Sequence, residues 1–171
     1  MLSIKWLKGC CWSALALALA GTSVLAQTPA TGSRSATPED LAAIHVAAER
    51  LLHALDNLEW EAFRAYWASD PTVFFPFADT PDRVAGQAAV EARWRRFFDE
   101  ARTRKAGPPY LQLQPRDLRV DRYGDVGIVT FTFSGLPELK GQLARRTLVF
   151  VQEGGTWKVV HVHASALGQQ Q

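Results

Sequence analysis

The chain has 171 residues, with 19 Lys and Arg against 17 Asp and Glu and a formal net charge of +2. Both cysteines, Cys10 and Cys11, and two of the 19 basic residues, Lys5 and Lys8, fall in the first 26 positions, so the remainder carries 17 basic against 17 acidic side chains. That balance argues against a nucleic-acid partner, the lack of later cysteines excludes a disulfide-held fold, and the length suits one domain with its own apolar core.

Residues 1–26 read as a signal peptide. Lys5 and Lys8 precede an apolar run from Cys10 to Ala20, and small residues end the segment at Val24-Leu25-Ala26, with cleavage expected after Ala26. The run falls short of the roughly 20 residues a bilayer span requires, and no later run reaches that length. The two cysteines come before the run instead of after it, which speaks against lipoprotein processing. The expected mature protein has no membrane anchor and resides in the periplasm, or outside the cell where no outer membrane exists. Residues 27–37, rich in Thr, Ser, Ala and Gly, read as a flexible linker, and residues 168–171 as a polar tail. The domain is expected over 38–167.

Thr37-Pro38-Glu39-Asp40 supplies a cap, a proline at the first helical position and acidic groups in the first turn. A helix follows to about Leu55, with Leu41, Ile44, Ala48, Leu51, Leu52 and Leu55 in one stripe. A short second helix is expected from Glu59 to about Ala68, presenting Trp60, Phe63 and Trp67. Thr72 to Phe77 is β-rich, and Pro76 suggests an edge or bulge. The loop from Ala78 leads through Gly86 to a third helix, Gln87 to about Arg102, with Val90, Trp94, Phe97 and Phe98 inward. Its many arginines are explained by a solvated face. Beyond Gly107-Pro108-Pro109 come four strands, about 110–121, 125–134, 143–152 and 156–165, with turns at Asp121-Arg122-Tyr123-Gly124 and at Gly154-Gly155. Helices first and strands afterwards predict an α+β fold: N-terminal helices packed on a curved, mainly antiparallel sheet that forms a cone with an internal pocket.

Strict alternation along the last strand puts Trp157, Val159, His161, His163 and Ser165 on one face, taken as the face beneath the helices. A two-residue Gly154-Gly155 loop pairs Phe150 with Val159, Leu148 with His161 and Arg146 with His163. A one-residue slip would put Arg145 in place of Arg146. The pocket expected from this register joins Arg146, His161, His163 and Ser165 to an apolar floor of Phe75, Phe77, Trp94 and Phe98, suited to a small organic acid. Asp79 or Asp82 lies in the loop at its mouth, as a catalytic assistant or a loop cap. His161 and His163 cannot complete a zinc site without further ligands. His45 and His53, the other two imidazoles, fall on the polar side of the first helix, so no metal or cofactor is expected. The opposite sheet face, with Thr130, Thr132, Thr147, Val149, Val160 and Val162, is apolar enough to bury against a second copy.

The order of elements, Asp70-Pro71-Thr72-Val73-Phe74-Phe75-Pro76-Phe77 with Gly86-Gln87-Ala88-Ala89-Val90, and Trp157-x-x-Val160-His161-x-His163-x-Ser165 together resemble the nuclear transport factor 2-like superfamily. That superfamily includes SnoaL-type cyclases and ketosteroid isomerase. The final motif is similar to the last strand of the association domain of calcium/calmodulin-dependent protein kinase II. The resemblance covers about residues 38–167 and implies a cone-shaped α+β fold and a homodimer formed through the sheet. The catalytic carboxylate of the isomerase would fall at Phe75 and its tyrosine donor near Leu51, so isomerase chemistry is not expected. The association domain's penultimate-strand arginine falls near Thr147 or Leu148, so its ligand is not carried over.

Three functions follow as alternatives. The chain is an exported binding module for a small organic acid, non-catalytic; or a homodimerisation module whose sheet contact is its role; or a SnoaL-type cyclase, dehydratase or hydrolase with His163 or His161 as general base. Set against the binding and catalytic readings is a purely structural role for His161, His163 and Ser165, as half-buried groups satisfied by neighbouring backbone.

Overall fold

The structure, a computed structural model, describes residues 37–134 and 143–166. The expected signal peptide, all of the linker before Thr37, and the polar tail lie outside the described residues. Among the described residues no helix is long and apolar enough to cross a membrane.

Helix α1 (Pro38–Asp56) opens on a capping box: the Thr37 hydroxyl accepts from the Asp40 amide at 3.2 Å, and the Asp40 carboxylate accepts from the Thr37 amide at 3.2 Å. Such a cap contributes about 1 kcal/mol and fixes where the helix begins. Ile44, Ala47, Ala48, Leu51 and Ala54 form its buried stripe. Leu52 and Leu55 pack beside that stripe. Helix α2 (Trp60–Arg64) is one turn long, shorter than expected, because Trp67 and Ala68 leave it for strand β1 (Trp67–Phe74). There they pair with the last strand, Trp67 opposite Val159. Strand β1 tolerates Pro71 through an irregularity in its pairing between Trp67 and Thr72, since proline offers no ladder donor. The Pro71 carbonyl instead accepts from the Gly86 amide at 2.9 Å. A short strand β2 (Arg83–Ala85), absent from the sequence reading, pairs antiparallel with β1 before helix α3 (Gln87–Arg104).

Strands β3 (Gln114–Tyr123), β4 (Val126–Ser134), β5 (Ala144–Glu153) and β6 (Thr156–Ala166) complete a six-stranded sheet of order β2-β1-β6-β5-β4-β3. All pairings are antiparallel except β1 with β6. The result is an α+β fold: a mixed, curved, unclosed sheet whose inner face carries the helices. Helix α1 crosses β3, β4 and β6 while α3 lies on β1 and β2. The close approach of α1 to β4 rests on Gly127, where an added Cβ would sit 2.9 Å from Ile44 Cδ1 and 3.2 Å from its Cγ1 and Cγ2.

The β5–β6 hairpin departs from the expected register at one residue. Gly154 and Gly155 take positive φ, as a two-residue hairpin turn demands, and Glu153 faces Thr156 and Phe150 faces Val159 as expected. Beyond that point, Val149 pairs with His161, Leu148 with Val162, Thr147 with His163 and Arg146 with Ala164. Val160 is the extra residue of a β-bulge, and it reverses the alternation. Trp157 and Val159 face the core, and so do Val162 and Ala164; His161, His163 and Ser165 face outward. The expectation that Trp157, His161, His163 and Ser165 share a face is therefore corrected. Val162, expected outside, is buried at 5 % exposure.

Candidate functional site

The inner sheet face and the three helices enclose a cavity with about 70 Å³ of room for water centres. A space of this kind admits a small organic molecule. Leu51, Leu52 and Leu55 of α1 form one wall and Trp94 and Phe97 of α3 another. Phe131, Phe133 and Leu148 of the sheet form the floor. Phe75 and Phe77 stack at 5.5 Å between centroids, and Phe75 meets Trp94 edge-on at 5.1 Å, so the aromatic wall is mutually braced.

Among the described residues, one charged side chain lines this cavity. Arg146 stands opposite Ala164 on β6 and Phe131 on β4, on the inner face of β5. The small Ala164 side chain leaves room for the guanidinium, which lies 4.6 Å from the Phe133 ring centroid. Its hydrogen bonds run from one nitrogen, Nη1, to the Arg145 carbonyl at 2.7 Å and the Ser165 carbonyl at 3.4 Å. Among the described residues it has no carboxylate partner. Burial pushes its pKa down to about 10, so it remains a cation at neutral pH. An arginine in this state offers a fork of donors to an incoming anion.

Of the residues predicted for the site, the structure brings together Arg146, Phe75, Phe77 and Trp94. Phe98 does not line the cavity: at 1 % exposure it is core, 5.6 Å from Trp60 and 5.2 Å from Phe63 between centroids. Ser165 contributes only its carbonyl. His161 and His163 stand on the outer face beside Phe74, with ring centroids 6.0 and 5.7 Å away. His161 Nδ1 lies 2.7 Å from Thr72 Oγ1. Desolvation, followed by the charges of His163 and Arg83, holds His161 below its ordinary value of 6.5.

Neither Asp79 nor Asp82 reaches the cavity lining. Asp79 accepts from Thr80 Oγ1 at 3.0 Å and bridges Arg93 and Arg96 at 3.1 and 3.0 Å. The Thr80 hydrogen bond, with the Arg93 and Arg96 charges and the Arg93 hydrogen bond, keeps its carboxyl below its ordinary value despite the opposing effect of desolvation. It serves as a clamp holding the loop after β1 to α3. Residues absent from the predicted site include Trp67, Phe97, Phe131, Phe133 and Leu148. The alternation Val129, Phe131, Phe133 along β4 was the available signal for two of them. Among the described residues no group of three or more His, Cys, Asp and Glu side chains is placed to hold a metal.

A curved sheet wrapped by three N-terminal helices around one apolar cavity defines the nuclear transport factor 2-like, or cystatin-like, class of α+β domain. The model of the SnoaL-like domain matches residues 44–168, and the chain belongs to that family. No curated protein sequence matches the chain. Among solved structures, a candidate dehydratase of the NTF2-like family from Streptomyces avermitilis is similar at 20% identity and a TM-score of 0.64, over 77% of this chain and 99% of that one. A candidate calcium/calmodulin-dependent protein kinase II association domain from Thiobacillus denitrificans is similar at 23% identity and a TM-score of 0.56, over 77% and 96%. A candidate ketosteroid isomerase from Parabacteroides distasonis is similar at 16% identity and a TM-score of 0.58, over 83% and 96%. At these identities the likeness concerns the fold.

Proposed function

We propose that this is an exported, non-catalytic binding module that holds a small, largely apolar organic acid in its cone and dimerises through the outer face of its sheet. The observation that carries the ligand class is Arg146, the one charged residue in an otherwise apolar cavity, without a carboxylate among the described residues. A carboxylate ligand would supply the missing countercharge in a low-dielectric setting, where a bidentate pair is strongest. The apolar walls would take the remainder of the molecule. Export is supported by the basic, apolar and small-residue order of residues 1–26. The dimer is supported by half-buried Ile128, Thr130, Thr147 and Val149 and by Phe74, an exposed aromatic on the same face, and by similarity to association-domain structures.

The enzymatic alternative would need an acid or base facing the ligand. His161 and His163 lie on the other side of the sheet, and Arg146 is too basic to take a proton at neutral pH. The name of the Streptomyces neighbour does not by itself supply the group.

The test is thermal unfolding with a panel of aliphatic and aromatic carboxylates, using wild type, Arg146→Gln and His163→Ala. An acid at 100 times its Kd is expected to add about 2.7 kcal/mol to the folded state of wild type. Arg146→Gln should lose this response and His163→Ala should keep it. Loss of the response in His163→Ala with retention in Arg146→Gln would overturn the assignment of the site.

A further inference from the structure

Two rows of outward side chains cross the middle strands of the sheet. In one, Thr72 of β1, His161 of β6, Val149 of β5 and Ile128 of β4 stand side by side; in the other stand Phe74, His163, Thr147 and Thr130. Within this block the only side chains able to take a charge are the two imidazoles. Fixed charges frame it. Arg83 faces Phe74 at the β2 edge, and Arg119 and Asp121, 3.2 Å apart, close the rows at the β3 edge. Arg145 and Lys158 lie on the same face farther along β5 and β6, with Lys158 donating to the Ala65 carbonyl. Of the carboxylates near β6, Asp70 lies two residues before Thr72, and Glu153 at the hairpin end accepts from the Ser69 amide at 3.1 Å. Desolvation, then the cationic His163 and Arg83, already disfavours a proton on His161. In an isologous contact a surface meets its own copy, so a block that is uncharged at neutral pH favours a second copy as its occupant.

We infer that acid separates the subunits of the sheet-face dimer, because protonation of His161 and His163 places like charges of both copies in the contact. This rests on the dimer reading of the same face and adds its regulation. Histidine is the side chain that gains its charge between about pH 8 and 5. Closing the contact removes both imidazoles from water among aliphatic, aromatic and hydroxyl side chains, which favours their neutral forms. Opening it lets them take up protons. Each proton taken up on dissociation raises the dissociation constant of the dimer by up to about tenfold per unit fall in pH.

The test is sedimentation velocity from pH ~7.5 to ~5.5 at constant ionic strength, with circular dichroism on the same samples. Wild type is compared with the double variant His161→Gln/His163→Gln. The control is His45→Gln/His53→Gln, which removes the other two of the four histidines, both on α1. Wild type and the control are expected to be dimers at the upper pH. Their dissociation constants should rise at least about tenfold at the lower pH with the folded spectrum unchanged. The strand double variant should stay dimeric throughout. A wild-type monomer at the upper pH would overturn the dimer reading and this inference with it. A wild-type dimer that persists or tightens in acid would overturn this inference while the dimer reading stands. So would equal dissociation of the strand double variant, or loss of the folded spectrum together with the dimer. If the double variant folds poorly, His161→Gln and His163→Gln are measured singly. At least one should lower the slope of the logarithm of the dissociation constant against pH, and an unchanged slope in both would overturn the inference.

Discussion

At the residue scale, Arg146 is held against the interest of the empty fold. A partly buried guanidinium with two carbonyl acceptors and no countercharge among the described residues disfavours folding, which is the meaning of its lowered pKa. Arg146→Met, which fills similar volume without charge, is expected to raise the melting temperature of the ligand-free protein by a few degrees while abolishing the response to acids. Differential scanning calorimetry with and without ligand reads both effects. His161 provides a second prediction. Its folded pKa is depressed, so between that value and the unfolded 6.5 the unfolded chain binds more protons. Stability should therefore fall as pH drops through about 6.5, and the slope should flatten in His161→Gln, as checked by melting curves from pH ~7.5 to ~5. The place of Arg146 on the inner face was legible from its spacing ahead of Gly154-Gly155, although a one-residue slip would have exchanged the faces of β5 and put Arg145 there. His161 and His163 were expected on that face too, and the bulge at Val160 turns them outward.

At the element scale, helix α1 and strands β4 to β6 were read to within a residue, whereas α2 and the starts of β1 and β3 were not. The Thr37 cap, Pro38 and the stripe from Ile44 to Leu55 defined α1 to within a residue, because helix signals are local. The start of β1 was missed by five residues, since Trp67 looks helical by its spacing from Phe63 and becomes a strand residue only through pairing with Val159. The bulge at Val160 is tertiary too, although its trace is visible: apolar residues at 157 and 159 give way to apolar residues at 162 and 164, with the parity change at adjacent Val159 and Val160. Deleting Val160 would remove the bulge and leave a regular ladder in which inward Val159 is followed by outward His161 and inward Val162, so every face is kept. Deleting Val162 instead would turn His163 and Ser165 inward and Ala164 outward. Cooperative unfolding followed by circular dichroism is expected to survive the first deletion and to be lost in the second, and equal behaviour of the two variants would show that residue parity is not what fixes the face of the strand.

At the scale of the whole molecule, the fold was legible because element order, two turn sequences and one motif all pointed to it. The ligand was not, because cavity contents depend on which faces of six strands and three helices meet. Outward Ile128 and Val149 occupy adjacent paired positions on β4 and β5, where a positive charge would be buried in a sheet-to-sheet dimer. If the proposed dimer forms through this face, Val149→Lys is expected to convert it to monomer in sedimentation velocity while leaving the proposed acid binding by Arg146 intact. A dimer that survives this change would place the contact elsewhere.

The bulge in β6 also has a consequence for how the molecule can be altered. From His161 to Ser165, alternate positions belong to different worlds: 162 and 164 line the cavity, while 161, 163 and 165 stand on the outer face. Because the backbone between them is shared but the side chains are not, the lining of the cavity and the outer surface can be rewritten separately, each through a handful of substitutions on a single ribbon.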